Sequence, residues 1–228
     1  MNIFYEGIVL KIFYFKEDDR IIKIFTQNGV ITVIGKSIKK GKRANILDIG
    51  NFIRFNIVKG KSLSILTSVS LIDSFYNIKE KNPFSIFYIC EVLLKIQRED
   101  QDESNIFNML LYVLYQLKNY NDLALLFFNL RFLKIEGSLI NLDKCFICKR
   151  ELLKDLSFSH NGISHSKCFK GSSISLDVLS LLRNISISKE LNMSFNIDKK
   201  DIKSALSISI LLVENFLEYK IKSKEYII

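Results

Sequence analysis

The hydrophobic pattern changes character once along the chain. In the first third, apolar residues come in short β-branched and aromatic runs separated by turn signals. From about residue 78 they recur every three or four positions. Residues 7–15 form the first run, and the polar Lys16-Glu17-Asp18-Asp19 turns the chain. Residues 21–26 follow, then Gln27-Asn28-Gly29, where the Asn-Gly pair predicts a two-residue hairpin with positive φ at both positions. Residues 30–34 return to Gly35; residues 52–58, the tight turn Lys59-Gly60-Lys61 and residues 62–72 complete the set. Five short strands in about 70 residues predict a small β-barrel. At this level an OB-fold and an SH3-like barrel both remain open.

The helical part begins at Asn82-Pro83, because proline suits the first helical position. Phe84, Phe87, Cys90 and Leu94 then recur at helical spacing, which makes Cys90 a core residue. Ser104 is placed to cap a second helix that carries Ile106, Leu110, Val113 and Leu117 on one face. A third helix runs over residues 122–135 and stops at Gly137, and two more cover residues 176–184 and 199–222. A Ser- and Gly-containing stretch interrupts the series at about 141–172. The predicted class is α+β: a barrel domain over residues 1–76 and a helical domain over residues 77–228 with an insertion.

Composition narrows the classes. The chain has 228 residues, 48% hydrophobic and 25% charged, a globular balance. Its 18 Phe and 9 Tyr exclude wholesale disorder, and 9 Gly with 1 Pro exclude a collagen-like or low-complexity chain. No run of about 18 uncharged apolar residues is present, so no membrane partner is expected. The first residues lack a basic start and a small-residue cleavage site, which points to the cytoplasm.

Net charge is +9, and a basic chain invites a polyanion. Lysine outnumbers arginine 26 to 7, the mark of an A/T-rich genome, which inflates lysine everywhere. Position says more than the total. Residues 1–74 carry twelve Lys and Arg against six Asp and Glu, while the other 154 carry 21 against 18. No acid lies between Asp19 and Asp48, and Lys36, Lys39, Lys40, Lys42 and Arg43 place five cations in eight residues. The barrel is the basic unit.

Three of the four cysteines fall in one window: Cys145-Phe-Ile-Cys148, sixteen residues, then His165-Ser-Lys-Cys168. A tetrahedral zinc needs four N or S donors, and an x2 spacing lets both ligands of one turn face the same ion. The competing reading is small buried cysteines beside a solvated histidine. His160 lies in the same stretch but has no x2 partner. Four donors close the shell, so the expected zinc is structural, one per chain, and a hydrolytic centre with an open metal position is not expected. Both histidines lie in this stretch, and no nucleophile elbow or phosphate-cradling Gly-rich loop occurs elsewhere, so an enzyme is not expected.

These pieces resemble the bacterial recombination mediator family RecO. The resemblance is carried by Glu6-Gly7-Ile8-Val9-Leu10 with Glu17-Asp18-Asp19-Arg20-Ile21, and by Phe25-Thr26 and Gly29 with Gly35-Lys36. The most specific stretch is residues 130–137 ending in Gly137, then Leu142-Asp143-Lys144-Cys145-Phe146-Ile147-Cys148, Phe158-Ser159 and Gly162. It spans nearly the whole chain, although residues 186–228 match only in being helical. His165 departs from the family's usual second cysteine pair, yet imidazole is an equally competent zinc ligand. The resemblance implies an N-terminal OB-fold, a helical domain and a zinc loop. It also implies a DNA repair and recombination mediator, active at the nucleoid, that binds single- and double-stranded DNA and anneals complementary strands. RecR and single-strand-binding protein are its implied partners in loading recombinase onto gaps.

The candidate DNA contacts are Arg20, Lys36, Lys39, Lys40, Lys42, Arg43, Lys59 and Lys61. Tyr14 and Phe15 read either as barrel core or as stacking platforms for bases. Arg131, flanked by Leu130, Phe132 and Leu133, reads either as the cationic rim of a partner-binding groove or as a partner of a carboxylate such as Glu136. The alternative function is a zinc-stapled protein-interaction adaptor without direct DNA binding.

Overall fold

The computed structural model describes residues 4–38, 42–60, 62–96, 101–191 and 197–227, with Lys42 described by its backbone. The described residues gather into two compact units that divide between Lys118 and Asn119, with Ile221–Ser223 and Ile227 counted in the first.

The first unit holds five strands: β1 (Tyr5–Tyr14), β2 (Arg20–Thr26), β3 (Gly29–Gly35), β4 (Phe52–Val58) and β5 (Ser64–Asp73). They close in the order β1-β2-β3-β5-β4. β3 meets β5 in parallel through Val33–Ser64 and Ile34–Ile65, and β4 returns to β1 through Phe55–Tyr5 and Phe52–Ile8. That closure is the OB-fold arrangement and settles the choice that the strand count left open. The interior is β-branched and aromatic: Val9, Ile22, Ile24, Val33, Ile53, Phe55 and Leu66 point inward from all five strands. Gly7 is required in β1, because a Cβ there would stand 2.5 Å from Ile24 Cγ2 and 2.6 Å from the Phe25 carbonyl.

Two local expectations need correction. The β2–β3 turn lies one residue earlier than Asn-Gly suggests. Thr26 pairs with Gly29, Gln27 and Asn28 form the loop, and Gly29 has φ +87° while Asn28 is not among the residues of positive φ. The stretch after β3 is also not wholly loop: it contains the short helix α1 (Lys42–Ile46). Ile38 and Leu47 on either side of α1 are buried in the barrel core, and Ala44 and Ile46 pack against it.

Helices α2 (Tyr76–Lys81), α3 (Pro83–Ile96) and α4 (Ser104–Leu117) belong to the same unit. Cys90 of α3 is buried with its thiol 3.9 Å from the Val9 carbonyl, and burial pushes that thiol up to about 12, so it is core and inert. Phe107 of α4 meets Phe25 and Phe52 at ring-centroid distances of 6.2 Å. Ser104 does not cap α4 but opens it: the Asp102 carboxylate accepts from the Ser104 amide at 3.0 Å and from its hydroxyl.

The second unit contains α5 (Asn121–Ile135), a three-stranded sheet, α6 (Leu176–Ile187) and α7 (Lys199–Leu217). α5 is buried continuously from Ala124 to Leu130, as expected of a helix that is apolar all round. It ends as predicted at Gly137 (φ +67°), with Gly137 N–H donating to the Lys134 carbonyl and Ser138 N–H to the Leu133 carbonyl. α7 stops at Leu217, short of the predicted residue 222, because Glu218 takes a left-handed conformation and closes it. Among the described residues no helix is long and apolar enough to cross a membrane.

Candidate metal centre and nucleic-acid interface

The interrupting stretch contains strands β6 (Leu156–Ser159), β7 (Gly162–His165) and β8 (Ser172–Ile174), in the order β7-β6-β8. Each metal-ligand pair sits on a tight turn. The first turn closes with Lys149 N–H donating to the Cys145 carbonyl at 3.0 Å and Cys145 N–H to the Arg150 carbonyl at 2.8 Å. Lys149 takes φ +62° to complete it, and Lys144 bridges Glu151 beyond it. The second turn follows the end of β7 and closes with Cys168 N–H donating to the His165 carbonyl at 2.8 Å.

The two turns bring one atom each of Cys145, Cys148, His165 and Cys168 within 4.8 Å of one another. His165 Nδ1 lies 3.4 Å from Cys148 Sγ and 4.0 Å from Cys168 Sγ. Around a tetrahedral zinc, bond lengths of about 2.0–2.3 Å imply donor separations of about 3.5–3.8 Å, which these values bracket. The other ring nitrogen, Nε2, stands 2.9 Å from the Glu151 carbonyl. A proton on Nε2 leaves Nδ1 unprotonated and facing the thiols, the orientation a ligating histidine needs.

The thiols share their charge unequally. Burial pushes Cys145 up, but backbone N–H groups of the turns and the Cys148 thiol outweigh it and bring it down to about 6. Cys168 goes the other way, to about 11, first through loss of water and then through Cys148 and Cys145. His165 is raised, chiefly by the Cys148 thiol and then by the Glu151 carbonyl. Three thiolates this close repel one another unless a cation sits among them, so the donor set fits a divalent soft-to-borderline metal. His160 is not in the cluster; its carbonyl accepts from Asn215 at 3.0 Å. Sequence reasoning missed Arg183 of α6, which donates to the carbonyls of Leu142 (2.9 Å), Leu152 (3.4 Å) and Asp143 (3.5 Å). It thus pins both ends of the first turn, a role that no local spacing announces.

The basic residues of the barrel divide into groups. Lys36 follows β3, Arg43 stands on α1 and Lys59 opens the β4–β5 turn, and all three are exposed. Their elements adjoin: β3 pairs with β5, and Arg43 reaches the Thr67 carbonyl of β5 at 3.4 Å. Arg20 does not join them on the open surface. It is buried at 8% exposure, with its guanidinium 4.1 Å from the Tyr14 ring centroid and donating to the Asp19 carbonyl. Lys39, Lys40 and Lys61 lie outside the described residues, and Lys42 contributes its backbone to α1. On α5, Arg131 Nε is buried without a hydrogen-bond partner.

Comparison with known proteins joins these features. The family pattern described as "Recombination protein O N terminal" matches residues 1–75, and "Recombination protein O C terminal" matches residues 84–225. A DNA repair protein RecO of Clostridium novyi is 30% identical over 197 residues, covering 80% of this chain and 77% of its own length. The RecO protein of Clostridium acetobutylicum is 32% identical over 184 residues, with 75% and 73% covered, and that of Dehalococcoides mccartyi is 28% identical over 182 residues, with 74% and 72% covered. With an OB barrel in front and a Cys3His cluster in the helical part, the chain belongs to the RecO family of DNA repair proteins.

Proposed function

We propose that the protein is a non-enzymatic recombination mediator that binds single- and double-stranded DNA through its barrel and speeds the pairing of complementary strands. The observation that carries the reading is the acid-free run between Asp19 and Asp48, with its five cations between positions 36 and 43, on an OB-fold. Lys36, Arg43 and Lys59 supply exposed point charges on adjoining elements, and Lys39, Lys40, Lys42 and Lys61 extend the run in sequence. Cations displace counterions from phosphates, and two strands held on one cationic surface repel each other less. No bond chemistry is needed. Arg20 acts indirectly, from beneath Tyr14.

Zinc held by Cys145, Cys148, His165 and Cys168 supplies a closed structural cross-link. The chain's own contribution is to aim the ligands: the Glu151 carbonyl orients His165, and Arg183 fixes the ends of the first turn. Arg131 is the residue we assign to a protein partner's acidic segment, with single-strand-binding protein, which the family resemblance implies, as the candidate; because its Nε is buried, that contact falls to its terminal guanidinium nitrogens. RecR is the further partner in loading recombinase at gaps.

Fluorescence-monitored annealing of two complementary oligonucleotides tests the reading. If about five phosphates are neutralised, log affinity against log salt slopes at about −3.5 for single strands and −4.5 for duplex. Reversing the cations at 36–43 removes most of that slope and most of the acceleration. Absence of both DNA binding and acceleration would leave the zinc-stapled adaptor as the function.

A further inference from the structure

We propose that the free end of the β1–β2 hairpin is a base-stacking platform for single-stranded DNA, with the open face of Tyr14 as the stacking surface. The proposal rests on the DNA-binding reading above and adds which strand form is held and by what force.

β1 is buried from Gly7 to Leu10 and then surfaces. Phe13 is 37% exposed, Tyr14 86% and Phe15 48%, so none of the three is barrel core. Each ring carries a cation over one face. Lys11 Nζ stands 4.9 Å from the Phe13 centroid, Lys16 Nζ 5.7 Å from that of Phe15, and the Arg20 guanidinium 4.1 Å from that of Tyr14. Arg20 is the fixed one. It is buried, paired across the strands with Tyr14 on one side and Gly35 on the other, and tied to the Asp19 carbonyl at 2.8 Å. A ring backed by a fixed cation and still 86% exposed turns its other face to water, and one flat face is what a base requires.

The hairpin end is held in place. Phe15 N–H donates to the Asp19 carbonyl at 3.3 Å, Ser37 N–H to the Asp19 carboxylate at 3.1 Å, and Ile38 N–H to the Asp18 carbonyl at 2.8 Å. These bonds tie the platform to the segment that opens the cationic run. They also bring Asp18 and Asp19 up to the Ser37–Ile38 backbone next to Lys36, so acids offset the cations at this edge. A duplex hides its base faces and offers phosphates, which a nearly neutral surface holds weakly. A single strand offers base faces, which stack whatever the salt. An apolar peptide is disfavoured because it would strip water from the lysines over the rings. The geometry selects the single strand.

The test uses the full chain with a labelled oligo-dT and a mixed-sequence duplex at several salt concentrations. Tyr14→Ala is expected to weaken single-strand binding about tenfold or more, and Phe15→Ala less. Duplex affinity should change less than twofold, and both salt slopes should stay as they are because no cation is removed. The chain contains no Trp, so Tyr14→Trp introduces a lone indole, whose emission should be quenched by oligo-dT and not by duplex. Equal losses on both DNA forms, no loss on either, or an unquenched indole would overturn the platform while wild-type binding upheld the DNA reading. A wild-type protein that binds neither form would remove both.

Discussion

In the barrel, Val9, Ile22, Ile24, Val33, Ile53, Phe55 and Leu66 meet from all five strands, whereas between residues 141 and 172 the convergent side chains are Cys145, Cys148, His165 and Cys168. The buried apolar residues of that second region are Leu142, Leu152, Leu156, Phe158 and Ile163, while Ile147 and Leu153 stay half or more exposed. Apolar burial is spread over many contacts, so no single contact decides it. Four ligands on one point concentrate the cohesion of a segment too short to build its own core. On the zinc reading proposed above, the barrel keeps its shape without a ligand and the 141–172 segment depends on one.

The largest expected effect is on that contrast itself. Chelation, or Cys145→Ser, should abolish hydrogen-exchange protection in β6 and β7 while barrel amides keep theirs, since structural zinc sites carry on the order of 10 kcal/mol of folding energy. Retained protection in β6 and β7 after full chelation would end the comparison. Acid should act in the same direction. Zinc takes thiolates and neutral imidazole, so each competing proton lowers affinity about tenfold per pH unit. Cys168, raised to about 11, holds a proton that zinc must displace throughout this range, His165 is raised and competes in the same direction, and Cys145 joins as pH falls through about 6. Zinc affinity should fall with acid and fall more steeply below about pH 6, as read by competition with a chromophoric chelator.

Phe55→Ala attacks the other side. Phe55 is fully buried and stacks on Tyr5 at 5.7 Å, and its loss should destabilise the barrel by about 3–5 kcal/mol in urea titration with zinc content unchanged. Arg183→Leu is smaller. It removes the donors that span Leu142, Asp143 and Leu152, and should weaken zinc by about tenfold while leaving the barrel's midpoint alone. An unchanged zinc affinity would mean that the two turns hold their shape unaided.

The same contrast explains what could be read ahead of the structure. Strands and the proline-led helix α3 were legible because each rests on neighbouring residues, and the C-x2-C and H-x2-C spacings because each pair occupies one turn; the β2–β3 turn was legible in existence but not in register, since Gly29 and not Asn28 takes the positive φ. Strand order was not legible, since parallel β3–β5 pairing joins Val33 to Ser64 across the chain. β6, β7 and β8 span three or four residues each, too few to show a period. Ser104 looked like a cap, but Asp102, two residues earlier, offers the stronger charged acceptor. Arg20 reads as a surface cation until its strand neighbours place it under Tyr14. The Glu151 carbonyl that aligns His165 has no sequence signature, because every residue carries a carbonyl.

The smallest expected effect is at Arg54. It crosses from β4 to β1, where Nε and Nη2 approach Glu6 Oε1 at 2.9 and 2.6 Å, with side chains 54% and 42% exposed. Both donors share one carboxylate oxygen, so the pair is not the two-oxygen fork that makes such contacts strong. Water competes for each group, and salt screens what attraction is left. Arg54→Gln should therefore lower barrel stability by less than about 1 kcal/mol, and added salt should shrink even that difference. Urea titration at low and high salt checks it. A loss above about 2 kcal/mol that persisted in high salt would mean the barrel, like the metal segment, leans on one polar contact. The distributed core would then no longer distinguish the two regions.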